Sequence, residues 1–235
     1  MGLRSAAAQL LANRRLYLCT GYRDDLVDFL RDCIEGGVDV VQLRDKNLDD
    51  DAILRYAPPA QKVCAAYGVP FLLNDRPDMA AELGADGVHV GQDDMPAPQA
   101  RLIMGDAAIV GLSTHAPDQL ARALREPVDY ISAGPVVATP TKPGRPPTGI
   151  GYVTEAARQC SAHSPAMPFF VTGDARPDTV GPLAAAGARR FVAVRWLTQA
   201  SDPRTAASRL AEAIDQAVQA ILPADPAVPG TTLPG

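Results

Sequence analysis

The run Gln42-Leu43-Arg44-Asp45-Lys46 places an amide and two cations at alternating positions. Alternate side chains of an extended segment share a face, so Gln42, Arg44 and Lys46 point the same way. Asn74-Asp75-Arg76 and Gly91-Gln92-Asp93-Asp94 each put a carboxylate just past an apolar run. Mg²⁺ is commonly held by one or two carboxylates, with substrate phosphate oxygens and water completing its shell. Asp75 and Asp94 supply that donor set, while Asp93, on the opposite face, is expected in solvent. Each stretch also has a structural reading: a salt-bridged surface segment for 42–46, and helix caps for Asp75 and Asp94.

Ser113-Thr114-His115 follows a fifth apolar run. The segment from Gly134 to Arg145 carries Thr139, Pro140, Thr141 and Lys142. Two hydroxyls, backbone N–H groups and a lysine make an anion cradle. Gly173-Asp174 and Val194-Arg195 follow the last two apolar runs. The chain has only three lysines, Lys46, Lys62 and Lys142, so two of them fall in these stretches. A lysine kept among many arginines marks a place for a compact point charge. His89 lies inside an apolar run and reads as structural; His163 reads as a surface residue. No His/Cys spacing suits zinc, and no nucleophile signature occurs. These features point to phosphoryl or diphosphate chemistry on small molecules.

The elements that would position them alternate along the chain. Apolar, β-rich runs cover 15–20, 38–44, 69–74, 86–91, 107–113, 128–134, 167–173 and 189–195. Helical patterns cover 24–35, 49–66, 77–83, 96–104, 117–125, 152–162, 178–186 and 203–221. Near-continuous apolar strands are those buried on both faces, as in a parallel sheet. Strands each followed by a helix give an α/β fold, a single-domain (β/α)₈ TIM barrel over 1–222, with an open doubly wound sheet as the rival. No GxGxxG follows the first strand, which counts against the rival. Gly36, Gly68, Gly84, Gly105 and Gly187 are expected to end helices at φ > 0. Pro58-Pro59 is expected to break or kink the second helix. The Pro/Gly/Thr-rich stretch 223–235 is expected to be disordered. The polar residues above all fall at strand ends, where barrel enzymes build their sites.

The 235 residues carry a net charge of −5 and are 47% hydrophobic. That leaves no basic field for nucleic acid and no basic amphipathic helix for a membrane surface. No stretch reaches the roughly 18 apolar residues of a membrane span. The start reads as no signal peptide, and four scattered cysteines fit reduced thiols in the cytoplasm. Homo-oligomerisation stays open.

The motifs QLRDK (42–46), ND (74–75), GVHVGQDD (87–94), GLSTH (111–115) and GPVVATPTKPGR (134–145), taken together and in order, resemble the thiamine phosphate synthase family. The resemblance spans about 15–220. It implies a transferase joining hydroxymethylpyrimidine diphosphate to hydroxyethylthiazole phosphate, with release of pyrophosphate. It implies that Gln42, Arg44, Lys46, Asn74, Ser113 and Lys142 hold the pyrimidine diphosphate, with Leu43 and Asp45 in the same segment. Arg44, Lys46, Ser113 and Lys142 would be the catalytic group. Asp75 and Asp94 would hold Mg²⁺. Thr139, Pro140 and Thr141, with Gly173, Asp174, Val194 and Arg195, would hold the thiazole phosphate. The family usually has Gly-Gly where this chain has Gly173-Asp174, which puts a carboxylate beside a phosphate site. Two rival readings remain: a thiazole tautomerase relative using His115 for acid/base chemistry, and a non-catalytic barrel binding the same phosphates.

Overall fold

In the computed structural model of the protein, the described residues are 6–138 and 146–221. The expectations for Thr139, Pro140, Thr141 and Lys142, and for 223–235, lie outside them. The first half runs α1 (Ala6–Leu11), β1 (Leu16–Thr20), α2 (Leu26–Glu35), β2 (Val40–Leu43), α3 (Asp50–Ala66), β3 (Phe71–Asn74), α4 (Pro77–Glu82), β4 (Gly87–Val90) and α5 (Ala97–Met104). The second half runs β5 (Ile109–Thr114), α6 (Pro117–Ala123), β6 (Tyr130–Ala133), α7 (Gly149–Ala162), β7 (Phe169–Val171), α8 (Val180–Ala185), β8 (Phe191–Ala193), α9 (Arg195–Thr198) and α10 (Pro203–Gln219). The strands close in sequence order into one barrel, all neighbours parallel.

Strand alternation divides the core in two. Inward residues Tyr17, Val40, Leu72, Ile109, Tyr130, Phe170 and Val192 form one cluster inside the barrel. Their neighbours in sequence, such as Leu16, Leu18, Val41, Phe71 and Leu73, pack outward against the helices. The helices answer with apolar stripes. On α2 the buried set is Leu26, Phe29, Leu30, Cys33 and Ile34, the i, i+3, i+4, i+7 spacing of one helix face. Burying each such large side chain contributes about 1.5–3 kcal/mol. The last helix, α10, packs against both α8 and α2 and so closes the outer ring.

Three aspartates tie the barrel floor. Each directly precedes an even-numbered strand and accepts backbone N–H groups at the start of the strand before it. Asp39 accepts from Arg15 and Leu16 at 2.6 and 3.0 Å. Asp86 accepts from Phe71 at 2.8 Å, and Asp129 from Val110 at 2.9 Å. These first N–H groups would otherwise be buried without a partner. Burial pushes the Asp39 carboxyl up to about 6, against the two N–H donors that favour its charged form.

Three expectations about the elements need correction. Pro58 and Pro59 do not break α3, which runs unbroken through both. Both are exposed, so the carbonyls that lose their N–H partners lie on the side where water can replace them. Gly36 has φ −83°; its neighbour Gly37, at φ 110°, makes the turn. Gly36 is needed for space instead, because a Cβ there would stand 2.4 Å from the Arg204 carbonyl oxygen of α10. The eighth strand stops at Ala193, and Arg195 begins the short α9. One element lies outside the ranges assigned from sequence: α1, whose Ala7 and Leu11 join the barrel-interior cluster.

Candidate functional site

The C-terminal ends of all eight strands surround one cavity of about 520 Å³. From the strand-end segments named above, Gln42, Arg44, Lys46, Asn74, Asp75, Asp94, Ser113, His115, Gly173, Asp174, Val194 and Arg195 all line it. Leu43 and Asp45 do not: Leu43 packs outward in the core, and the Asp45 carboxylate accepts from the Tyr22 backbone N–H at 3.0 Å. This is the alternation of an extended segment made visible, with 42, 44 and 46 inward and 43 and 45 outward.

On one side of the cavity the acidic and basic groups meet. Gln42 Nε2 donates to Asn74 Oδ1 at 3.0 Å, linking β2 to β3. Asn74 Nδ2 donates to the Asp75 carboxylate, and Lys46 Nζ lies 3.4 Å from Asp75 Oδ2. Asp75 takes φ 62°, a left-handed conformation that aspartate tolerates better than most residues. Its backbone N–H still donates to the His89 carbonyl at 2.9 Å, so the turn stays tied to β4.

Asp94 is held from the other side, its Oδ2 accepting from the Gly91 N–H at 2.9 Å. Neither carboxylate caps a helix: α4 and α5 have Arg76 and Pro96 at their caps. The two meet each other instead. Burial, followed by hydrogen-bonding and charge contact with Asp94, raises the Asp75 carboxyl above the usual range, and Lys46 only partly offsets this. Two apposed carboxylates beside one lysine are a hard-oxygen donor pair with charge left to neutralise. Among the described residues no group of three or more His, Cys, Asp or Glu side chains forms a fuller metal cage.

The opposite rim is built by β7 and β8. Gly173 and Asp174 take φ 110° and 64° in succession. Gly173 is obligatory, because a Cβ would lie 2.5 Å from the Val136 backbone nitrogen. The Asp174 carboxylate is shared by two arginines, Arg176 Nε at 3.1 Å and Arg195 Nη2 at 3.5 Å. Val194, Arg195 and Trp196, at the start of α9, line the cavity beside it. Loops after strands seven and eight with a short extra helix are the usual phosphate site of such barrels.

The cavity also contains residues that sequence reasoning does not assign to the site. Tyr17, Cys19, Ser132, Pro135, Thr172 and Trp196 line it. So does His89, structural by its sequence context: its ring nitrogens are each 2.8 Å from a hydroxyl, Tyr130 for Nδ1 and Ser113 for Nε2. Inward alternation along β1, β4 and β6 is the signal that finds Tyr17, His89 and Ser132. His115 Nδ1 contacts the Gly134 carbonyl. No helix among the described residues is long and apolar enough to cross a membrane.

Residues 16–197 match the family model described as thiamine monophosphate synthase. A thiamine-phosphate synthase of Thermobifida fusca is 46% identical over 204 residues, covering 85% of this chain and 92% of the relative. One from Thermus thermophilus is 45% identical over 203 residues, covering 84% and 96%. Among solved structures, a thiamine phosphate pyrophosphorylase from Pyrococcus furiosus aligns with a TM-score of 0.77 at 23% identity, covering 92% of this chain and all of its own. At that identity the structural match speaks to the fold.

Proposed function

This chain belongs to the thiamine monophosphate synthase family, and from that premise we propose how its cavity works. The protein is a transferase. It condenses hydroxymethylpyrimidine diphosphate with hydroxyethylthiazole phosphate, giving thiamine phosphate and pyrophosphate. The bond from the pyrimidine methylene to the diphosphate oxygen breaks, and a bond from the thiazole nitrogen to that methylene forms.

In our reading, Asp75 and Asp94 hold Mg²⁺. Their apposed carboxylates in the cavity, which Lys46 only partly offsets, are the observation that carries it. When bound, the ion would supply Lewis-acid neutralisation of diphosphate charge. The chain's own cations do the matching work. Arg44 and Lys46 face the same space, and Lys46 can turn from Asp75 to the leaving pyrophosphate, where charge accumulates. Lys142 is assigned to the same task on the family resemblance.

Gln42 and Asn74 fix each other across β2 and β3 and hold the pyrimidine portion with Ser113. On the far rim, Arg195 and the Gly173-Asp174 turn receive the thiazole phosphate; Thr139 and Thr141 are assigned to the same phosphate on the family resemblance. The thiazole nitrogen is itself the attacking group, so no side-chain nucleophile is needed. We place the reaction in the cytoplasm, where the four free cysteines stay reduced.

The test is incubation of the purified chain with both substrates, with each alone, and with both plus a chelator. Thiamine phosphate and pyrophosphate in equal amounts, only with both substrates and free Mg²⁺, is the expected result. Turnover unaffected by chelator would remove the metal from the account, and no product would remove the reading.

A further inference from the structure

The rim built by β7 and β8 continues outward as a row of alternating charge. Arg195 lines the cavity, and its Nη2 lies 3.5 Å from Asp174 Oδ1. The other carboxylate oxygen, Oδ2, lies 3.1 Å from Arg176 Nε. Arg176 Nη2 in turn lies 3.4 Å from Asp178 Oδ2. Asp174 and Ala175 line the cavity, but Arg176 does not. Asp178 lines a separate cavity, with Pro177 and Trp196.

The backbone fixes this row. Thr179 Oγ1 accepts the Arg176 N–H at 2.9 Å and donates to the Asp174 carbonyl at 2.7 Å. Ala175, between them, is buried. The turn therefore gives Asp174 to the cavity and Arg176 to the outside, on the two sides of one anchored residue.

A phosphate arriving at Arg195 meets two obstacles, both set by Asp174. The guanidinium is already paired with a carboxylate, and that carboxylate repels the incoming anion. A cation on the far carboxylate oxygen reduces both. Arg176 stands closer to Asp174 than Arg195 does, 3.1 against 3.5 Å, and Coulomb attraction falls with distance. The Arg176 Nε contact is an ion pair without hydrogen-bond alignment, so what it supplies is charge.

We propose that Arg176 is a positioning residue: it holds Asp174 from outside the cavity and so leaves Arg195 available to the thiazole phosphate. This rests on the function proposed above. Asp178 works against it, by drawing Arg176 away from Asp174. Effects alternate in sign along the row, and those of Arg176 and Asp178 pass through the Asp174 carboxylate.

Steady-state kinetics with the pyrimidine diphosphate saturating tests this. Arg176→Met should raise KM for the thiazole phosphate about threefold, the scale of a partly exposed ion pair. Arg176→Lys, which keeps the charge, should recover most of the loss. Asp178→Asn should lower the same KM about twofold. In each variant kcat and KM for the pyrimidine diphosphate should stay as they are. The deciding arm repeats Arg176→Met and Asp178→Asn in the Asp174→Gly background, where neither should move KM. A direct pull of Arg176 on the phosphate would persist there, because it does not need the carboxylate. The proposal is overturned by a KM that does not rise in Arg176→Met, by one that does not fall in Asp178→Asn, or by changes of the same size without Asp174. Absence of product from the unmodified protein would instead overturn the parent reading.

Discussion

Asp75 and Asp94 oppose each other across the cavity wall, and that arrangement has a measurable consequence. Burial and mutual repulsion raise the Asp75 carboxyl. A divalent ion bound between them stabilises the folded state alone. At a hundredfold excess over its Kd, Mg²⁺ should contribute about 2.7 kcal/mol, or roughly 5–10 °C in Tm for a chain of this size. In Asp94→Asn that shift should vanish, while the metal-free Tm should hold or rise. Differential scanning calorimetry with and without Mg²⁺ reads both numbers, and an undiminished shift in the variant would take Asp94 out of the site. Asp174 is the second residue with a definite expectation. From sequence it is a carboxylate beside a phosphate site, and hence a source of repulsion. In the structure it instead occupies Arg176 and Arg195. Asp174→Gly releases both guanidinium groups, and KM for the thiazole phosphate should fall about fivefold, equivalent to about 1 kcal/mol of exposed ion pairing. Steady-state kinetics with the pyrimidine diphosphate saturating would show it; a higher KM would mean that Asp174 positions Arg195 more than it neutralises it.

At the scale of elements, strand periodicity is legible in the sequence because each strand is covered on both faces and reads as an apolar run. The convergence of Gln42, Arg44 and Lys46 on one face follows from alternation alone. The parts that are not legible depend on packing between distant elements. Nothing local distinguishes Gly36 as a spacer from Gly36 as a helix terminator; the decision belongs to α10, about 170 residues away in sequence. Gly36→Ala should therefore destabilise by about 1–3 kcal/mol, the usual effect of overpacking. Gly151 in α7 has open space where a Cβ would stand, with nothing within 4 Å, so Gly151→Ala should stabilise by about 0.5–1 kcal/mol through helix propensity. Urea unfolding of the two variants checks the contrast. Likewise, α9 is too short to show a helical period, and the hydrogen bonds linking Tyr17, Tyr130, His89 and Ser113 join four strands that sequence cannot align in register. The floor aspartates do leave a signal, an Asp immediately before the second, fourth and sixth strands. Asp39 adds a pH test. Its folded pKa, about 6, lies above the unfolded carboxylate value of about 3.9. Its titration therefore favours folding fully below about pH 4 and ceases to do so as pH rises through about 6. The stability advantage of the natural chain over Asp39→Asn should shrink by up to about 3 kcal/mol across that window, as read by urea midpoints at successive pH values.

At the scale of the molecule, the barrel separates stability from chemistry. Its floor is tied by Asp39, Asp86 and Asp129 and filled by α1, while its mouth gathers polar groups from every strand. Acidic and basic residues of β2, β3 and β4 collect on one side and the Arg195–Asp174–Arg176 cluster on the other, so the cavity has two charged poles for two phosphorylated substrates. The central claim is that Asp75 and Asp94 share one divalent ion beside Arg44 and Lys46. Mn²⁺ soaked into crystals with pyrophosphate, located by anomalous scattering, tests it most directly. The account predicts one strong peak bridging the two carboxylates, with pyrophosphate between that peak and the Arg44 and Lys46 side chains. A peak bound to neither aspartate, or pyrophosphate held only at the Arg195 rim, would contradict it.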